Sequence, residues 1–171
     1  MEPMRVCCFT GHRPEKLPWR DNEWDPRCVA LQGRIMVELR QAYRNGYRHF
    51  ICGMARGIDT YCCEAVLKLR QEHREVRLEA AIPCRTQAKN WPAKDRERYR
   101  RLLAQCDLRT LIQEAYTPGC MLRRDRYMVS RSEGVFGVYD MATSGGTKQT
   151  LAYALEQKRE IFLIDLGDFQ R

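Results

Sequence analysis

His49-Phe50-Ile51-Cys52-Gly53-Met54-Ala55-Arg56-Gly57-Ile58-Asp59-Thr60 reads as a short strand, a turn bounded by two glycines and the opening of a helix. The apolar run stops at Gly53. Over 59–70, Cys62, Ala65, Val66 and Leu69 fall on one side of a helix. The same unit recurs in both directions. Upstream, 6–10 is a strand that ends in Gly11. The helix that follows it, over 27–44, carries Val29, Ile35, Met36, Leu39 and Tyr43 at helical spacing and stops at Asn45-Gly46. Downstream, strands over 77–82, 108–112, 135–139 and 160–164 alternate with helices over 93–105, 121–131 and 144–157. Successive parallel strands need a helical crossover between them. The alternation therefore predicts an α/β, Rossmann-like three-layer domain: a mostly parallel sheet flanked by helices. No linker, repeat or low-complexity tract interrupts the pattern, so 1–171 reads as one domain.

Composition narrows the function classes. Hydrophobic residues at 44% and charged residues at 30% suit a globular chain rather than a disordered one. No stretch approaches the ~20 apolar residues of a membrane span. Met1-Glu2-Pro3-Met4-Arg5 lacks the apolar core of a signal peptide, so the expected location is the cytoplasm. The nine cysteines include the adjacent pairs Cys7-Cys8 and Cys62-Cys63, with no C-x-x-C and no zinc-type Cys/His spacing. They read as small buried residues of a reducing compartment, with no metal site and no resident cofactor. The net charge of +8 suits a phosphate-bearing ligand or a single-stranded nucleic acid. Against nucleic acid stand the alternating signs over 94–101, which mark a salt-bridged helix face, and the lack of an aromatic-rich strand for base stacking.

Ligands of open parallel sheets bind outside the carboxyl ends of the strands. Three loops fall there. Thr10-Gly11-His12-Arg13 follows the first strand; Gly11 permits close backbone approach, Arg13 offers a planar fork to phosphate, and His12 is a donor or acid/base near neutral pH. In Gly53-Met54-Ala55-Arg56-Gly57-Ile58-Asp59 the glycines let amides face an anion at a helix N-terminus. Asp59 is either the helix cap or an acceptor for ribose hydroxyls, and Arg56 has no evident structural duty. Ser144-Gly145-Gly146-Thr147-Lys148 places two glycines between hydroxyl residues, a compact anion nest. Neither the Walker pattern nor G-x-G-x-x-G is present. Arg123, Arg124, Arg126 and Arg131 form an arginine-rich stretch before the fifth strand, of which Arg123 and Arg124 read as a solvated basic helix face. Arg131 and Ser132, nearest the sheet, are the site candidates from that region. The segment 15–26, rich in Pro, Trp and charge, reads as a long loop folded over the site.

These residues carry a family resemblance. Phe9–Leu17 (FTGHRPEKL) resembles the opening of YpsA-like bacterial proteins, and Cys52–Leu67 (CGMARGIDTYCCEAVL) is similar to the S-G-x-A-x-G-I-D segment of the DNA-processing Smf proteins. Ser144–Ile164 resembles the glycine loop, helix and last strand of the same group, the SLOG superfamily, which also holds the LOG-type phosphoribohydrolases. The resemblance implies a nucleotide or nucleotide-derived ligand at these loops. LOG-type enzymes cleave N-glycosidic bonds with the Glu of P-G-G-x-G-T-x-x-E; here Gln149 or Thr150 stands at that position. The leading expectation is a nucleotide-binding or sensing domain with no catalytic residue assigned. The alternatives are a phosphoribohydrolase using His12, Arg131 and another carboxylate such as Glu133 or Asp140, and a single-stranded DNA-binding protein of Smf type. Domains of this size often pair through helices, so a homodimer is among the expected states.

Overall fold

The computed structural model describes residues 4–170. Six strands, β1 (Arg5–Gly11), β2 (Tyr47–Cys52), β3 (Arg77–Ile82), β4 (Leu108–Leu111), β5 (Gly134–Tyr139) and β6 (Glu160–Asp165), form one sheet in the order β4-β3-β2-β1-β5-β6, every pair parallel. Five helices cross between them: α1 (Pro26–Arg44), α2 (Ile58–Glu72), α3 (Ala93–Ala104), α4 (Cys120–Ser130) and α5 (Gly146–Glu156). Each expected strand and helix is present, with ends displaced by a few residues.

The central strands β1, β2 and β5 are apolar along most of their length because helices cover both faces. On one face Cys7, Phe9, Phe50 and Cys52 pack against Leu31, Ile35, Leu39, Ile58 and Leu69 of α1 and α2 and Leu102 of α3. On the other, Cys8, Ile51, Val135 and Tyr139 pack against Met128 and Val129 of α4 and Leu151 and Ala154 of α5. All nine cysteines are unpaired thiols and eight are buried, which fits their reading as small core residues.

Local chemistry sets the helix ends. Asp25 caps α1 by accepting the Arg27 amide at 2.9 Å, Pro26 opens the helix, and Gly46 leaves it at φ +96°. The chain builds outward from β1 through β2 and β3 to β4, then α4 carries it across to β5 on the other side of β1. The carboxyl ends of β1 and β5 thus form the switch point at which a crevice opens.

The 15–26 segment is an ordered strap. Leu17 and Trp19 are buried, and the Trp19 indole donates to the Tyr61 hydroxyl at 3.2 Å. Arg56, expected to have no structural duty, clamps the strap in place. Its guanidinium meets Glu15, Asp21 and Asp95, each at 3.0 Å.

Candidate functional site

The β1–β5 switch point holds two adjoining cavities that share Gly11 and Arg13. The larger, about 300 Å³, is lined by His12, Arg13, Glu15, Lys16, Gly146 and Thr147. The smaller, about 70 Å³, is lined by Thr10, Ala55, Asp59, Met121, Arg124 and Asp125 among others.

His12 is buried on the wall of the larger cavity, with 4% of its surface exposed. Its Nε2 lies 3.6 Å from Asp140 Oδ1, too far for a hydrogen bond, and has no other partner among the described residues. Burial lowers the His12 pKa, with the Asp140 charge acting in the opposite direction. The imidazole is therefore neutral at pH 7. Burial would raise the Asp140 carboxyl, but hydrogen bonds from the Thr143 hydroxyl and amide and the Ala142 amide outweigh it and hold Asp140 well below the usual range. Arg13 is exposed and makes no ion pair among the described residues. Opposite it, α5 begins at Gly146, and its first intrahelical amide bond is Gln149 N–H to the Gly145 carbonyl. The amides of Gly146, Thr147 and Lys148 have no helical acceptor, so the positive end of the α5 dipole faces the cavity. Lys16 closes the side by donating to the Ser144 carbonyl at 3.1 Å.

The smaller cavity has a buried charge cluster at its base. Arg124 is 4% exposed; it donates to Asp125 at 2.7 Å and to the Gly53 carbonyl. Asp125 also accepts the Thr150 hydroxyl at 3.2 Å. Asp59 accepts the Ala55 amide at 3.1 Å. Burial drives its carboxyl up to about 6 against the pull of Arg124, with Asp125 adding a like-charge push. The same burial works against the Arg124 charge, but Asp125 and Asp59 keep its pKa raised.

Thr10, Gly11, His12, Arg13, Ala55, Asp59, Gly146 and Thr147 therefore converge as the sequence suggests. Several candidates have local roles that differ from those expected. Asp59 is not the helix cap: Gly57 is, at φ +84°. The loop before α2 is not an open nest, because Ala55 donates its amide to Asp59 and Ile58 donates to the His12 carbonyl. Gly11 is needed for packing; a Cβ there would lie 2.3 Å from Ile58. A Cβ on Gly53 would strike the Arg124 guanidinium at 2.7 Å. Met54 is buried at φ +62°, and its amide meets the Cys52 sulfur. Ser144 and Gly145 shape the entry to α5, with Gly145 at φ +137°. Arg131 and Ser132 precede β5 and so lie at the amino rim, opposite the cleft; Arg131 stacks on Tyr127, and Ser132 bonds the Met128 carbonyl.

Arg124 and Asp125 are the residues that the sequence reading missed. Arg124 falls four residues from Cys120 and four from Met128, both buried, so an arginine on the apolar stripe of α4 was the available signal.

The family model described as YspA SLOG family matches residues 7–169. The chain belongs to this SLOG family. Among its SLOG relatives is the UPF0398 protein YpsA of Bacillus subtilis (strain 168), 25% identical over 98% of this chain and 96% of that protein. The SPbeta prophage-derived protein YoqJ of the same organism is 29% identical over 76% of this chain and 83% of that protein. Among solved structures, a DNA processing protein A from Helicobacter pylori, described for its single-stranded DNA binding mode, superposes with a TM-score of 0.64 at 17% identity. That match covers 96% of this chain and 70% of the other, and at this identity it speaks for the SLOG fold alone.

Proposed function

We propose that the β1–β5 cleft binds a nucleotide or nucleotide-derived ligand, with phosphate in the larger cavity and sugar hydroxyls at the smaller. The observation that carries this reading is His12 Nε2: a buried polar atom with no partner among the described residues, on the wall of a cavity that also meets Arg13, unpaired among those residues, and the free amides of α5. Buried polar groups are costly unless satisfied, and an anion would supply the missing partner. Asp59 and Asp125 are acceptors suited to a diol. The test is calorimetric titration with ADP-ribose and nucleoside monophosphates. Binding should occur and should weaken at least about tenfold in Arg13→Ala, the loss of one charge-assisted bond. No binding across the panel, or full affinity in Arg13→Ala, contradicts it.

A second reading, N-glycosidic cleavage, is favoured by the paired carboxylates. Asp59, pushed up to about 6, is matched to donate a proton near neutral pH. Thr150 stands in the region of the LOG-type Glu and holds Asp125 in place. Chromatography of nucleoside monophosphates incubated with the protein decides it: released base that Asp59→Asn abolishes supports cleavage, and none beyond the buffer control excludes it for those substrates.

A further inference from the structure

We propose that the outer face of α4 and α5 is a binding surface for single-stranded nucleic acid, built from Arg126, Arg131 and Arg159 interleaved with Tyr127 and Tyr153. This proposal is independent of what fills the cleft.

The residues form one continuous patch. The Arg126 guanidinium lies over the Tyr153 ring at 5.5 Å, and that of Arg131 over Tyr127 at 5.2 Å. The Tyr153 and Ser130 hydroxyls are 3.2 Å apart, and Arg159 donates to the Ser130 carbonyl at 3.4 Å. The two helices run side by side, and along α4 the patch, from Arg126 to Arg131, extends ~8 Å at ~1.5 Å per residue.

Its charge is uncompensated. None of the three arginines has a carboxylate within ion-pair range among the described residues, and Arg159 Nε is buried without a hydrogen-bond partner. The contrast is α3, where Arg98 meets Glu23 and Glu64 and Arg100 meets Glu97. The alternating signs of α3 cancel; those of the α4–α5 face do not.

Guanidinium forks pair with phosphate oxygens, and a stacked Arg–Tyr pair offers flat surfaces on which an unpaired base can lie. A duplex needs only the cations, since its bases are enclosed. The rings among the cations are what favour a single strand.

The experiment is fluorescence anisotropy of a labelled oligothymidylate, and of a duplex of equal length, titrated with the full chain over a salt series. The single strand should bind more tightly than the duplex. The pair Arg126→Gln and Arg131→Gln should weaken binding about tenfold or more and lower the salt slope by about 2. Tyr153→Leu should weaken it several-fold with the slope unchanged. Lys68→Gln, an exposed site on α2, should have little effect. All four side chains are at least partly exposed, and circular dichroism checks that each variant is folded. Absence of single-strand binding at low salt overturns the proposal. So does equal preference for duplex, an equal loss in Lys68→Gln, or a loss caused by Arg13→Ala but not by the α4 pair.

Discussion

The carboxyl of Asp59 concentrates the chemistry of the smaller cavity. It ionises near 3.8 in the unfolded chain and near 6 when buried beside Asp125. The folded state therefore holds a proton that the unfolded state has lost across that interval. Stability from this group is complete below about pH 4, falls as the pH rises towards about 6, and is flat above. At ~1.4 kcal/mol per unit, the deficit at neutral pH is on the order of 3 kcal/mol. Asp59→Asn should raise the melting temperature by several degrees near pH 7.5 and change it little near pH 4, as read by thermal melts at the two pH values. A variant that melts lower than the parent at neutral pH contradicts this account of burial. His12 has the opposite sign: its folded pKa is depressed, so its contribution is full above about 6.5 and is lost as the pH falls below that value. An anionic guest favours the proton on both groups. Affinity for ADP-ribose should therefore increase between about pH 8 and pH 6, with proton uptake seen as a dependence of the calorimetric heat on buffer. Neither shift was legible in the sequence, because both arise from burial and from neighbours distant along the chain. Arg124 sits in an arginine-rich stretch, and only its place on the buried stripe of α4 sets it apart.

At the scale of elements, the sequence was more legible. Short apolar runs alternating with longer amphipathic stretches located all six strands, and glycine marks the turn out of the first two, at Gly11 and Gly53. What this reading misjudged was the work of the glycines. Gly11 and Gly57 let α2 press against the end of β1: a Cβ on Gly57 would lie 2.6 Å from the His12 carbonyl oxygen, at φ +84°. Gly57→Ala should therefore cost ~2 kcal/mol or more from backbone strain and overlap together, measured by denaturant unfolding. Wild-type stability in that variant would show that α2 docks more loosely than described. The strap was read as a loop over the site because proline and tryptophan do not reveal their partners. Three carboxylates around Arg56 fix it, Glu15 and Asp21 from the strap itself and Asp95 from α3, far along the chain.

For the whole molecule, the decisive feature is the strand order. It brings the β1, β2 and β5 turns to one rim although they lie far apart in sequence, and it sends Arg131 and Ser132 to the other. A linear reading knows that a residue flanks a strand but must assign the correct end; Arg131 precedes β5, and the site lies after it. The family confirms the architecture while leaving the guest open, so the account rests on whether this rim receives a phosphate-bearing ligand. Titration of the isotope-labelled protein with ADP-ribose, followed by amide NMR, tests this most directly. The account expects the largest shifts at Gly11 to Arg13, Asp59, Thr60 and Gly146 to Lys148; shifts confined to the amino rim, or none at saturating ligand, would contradict it.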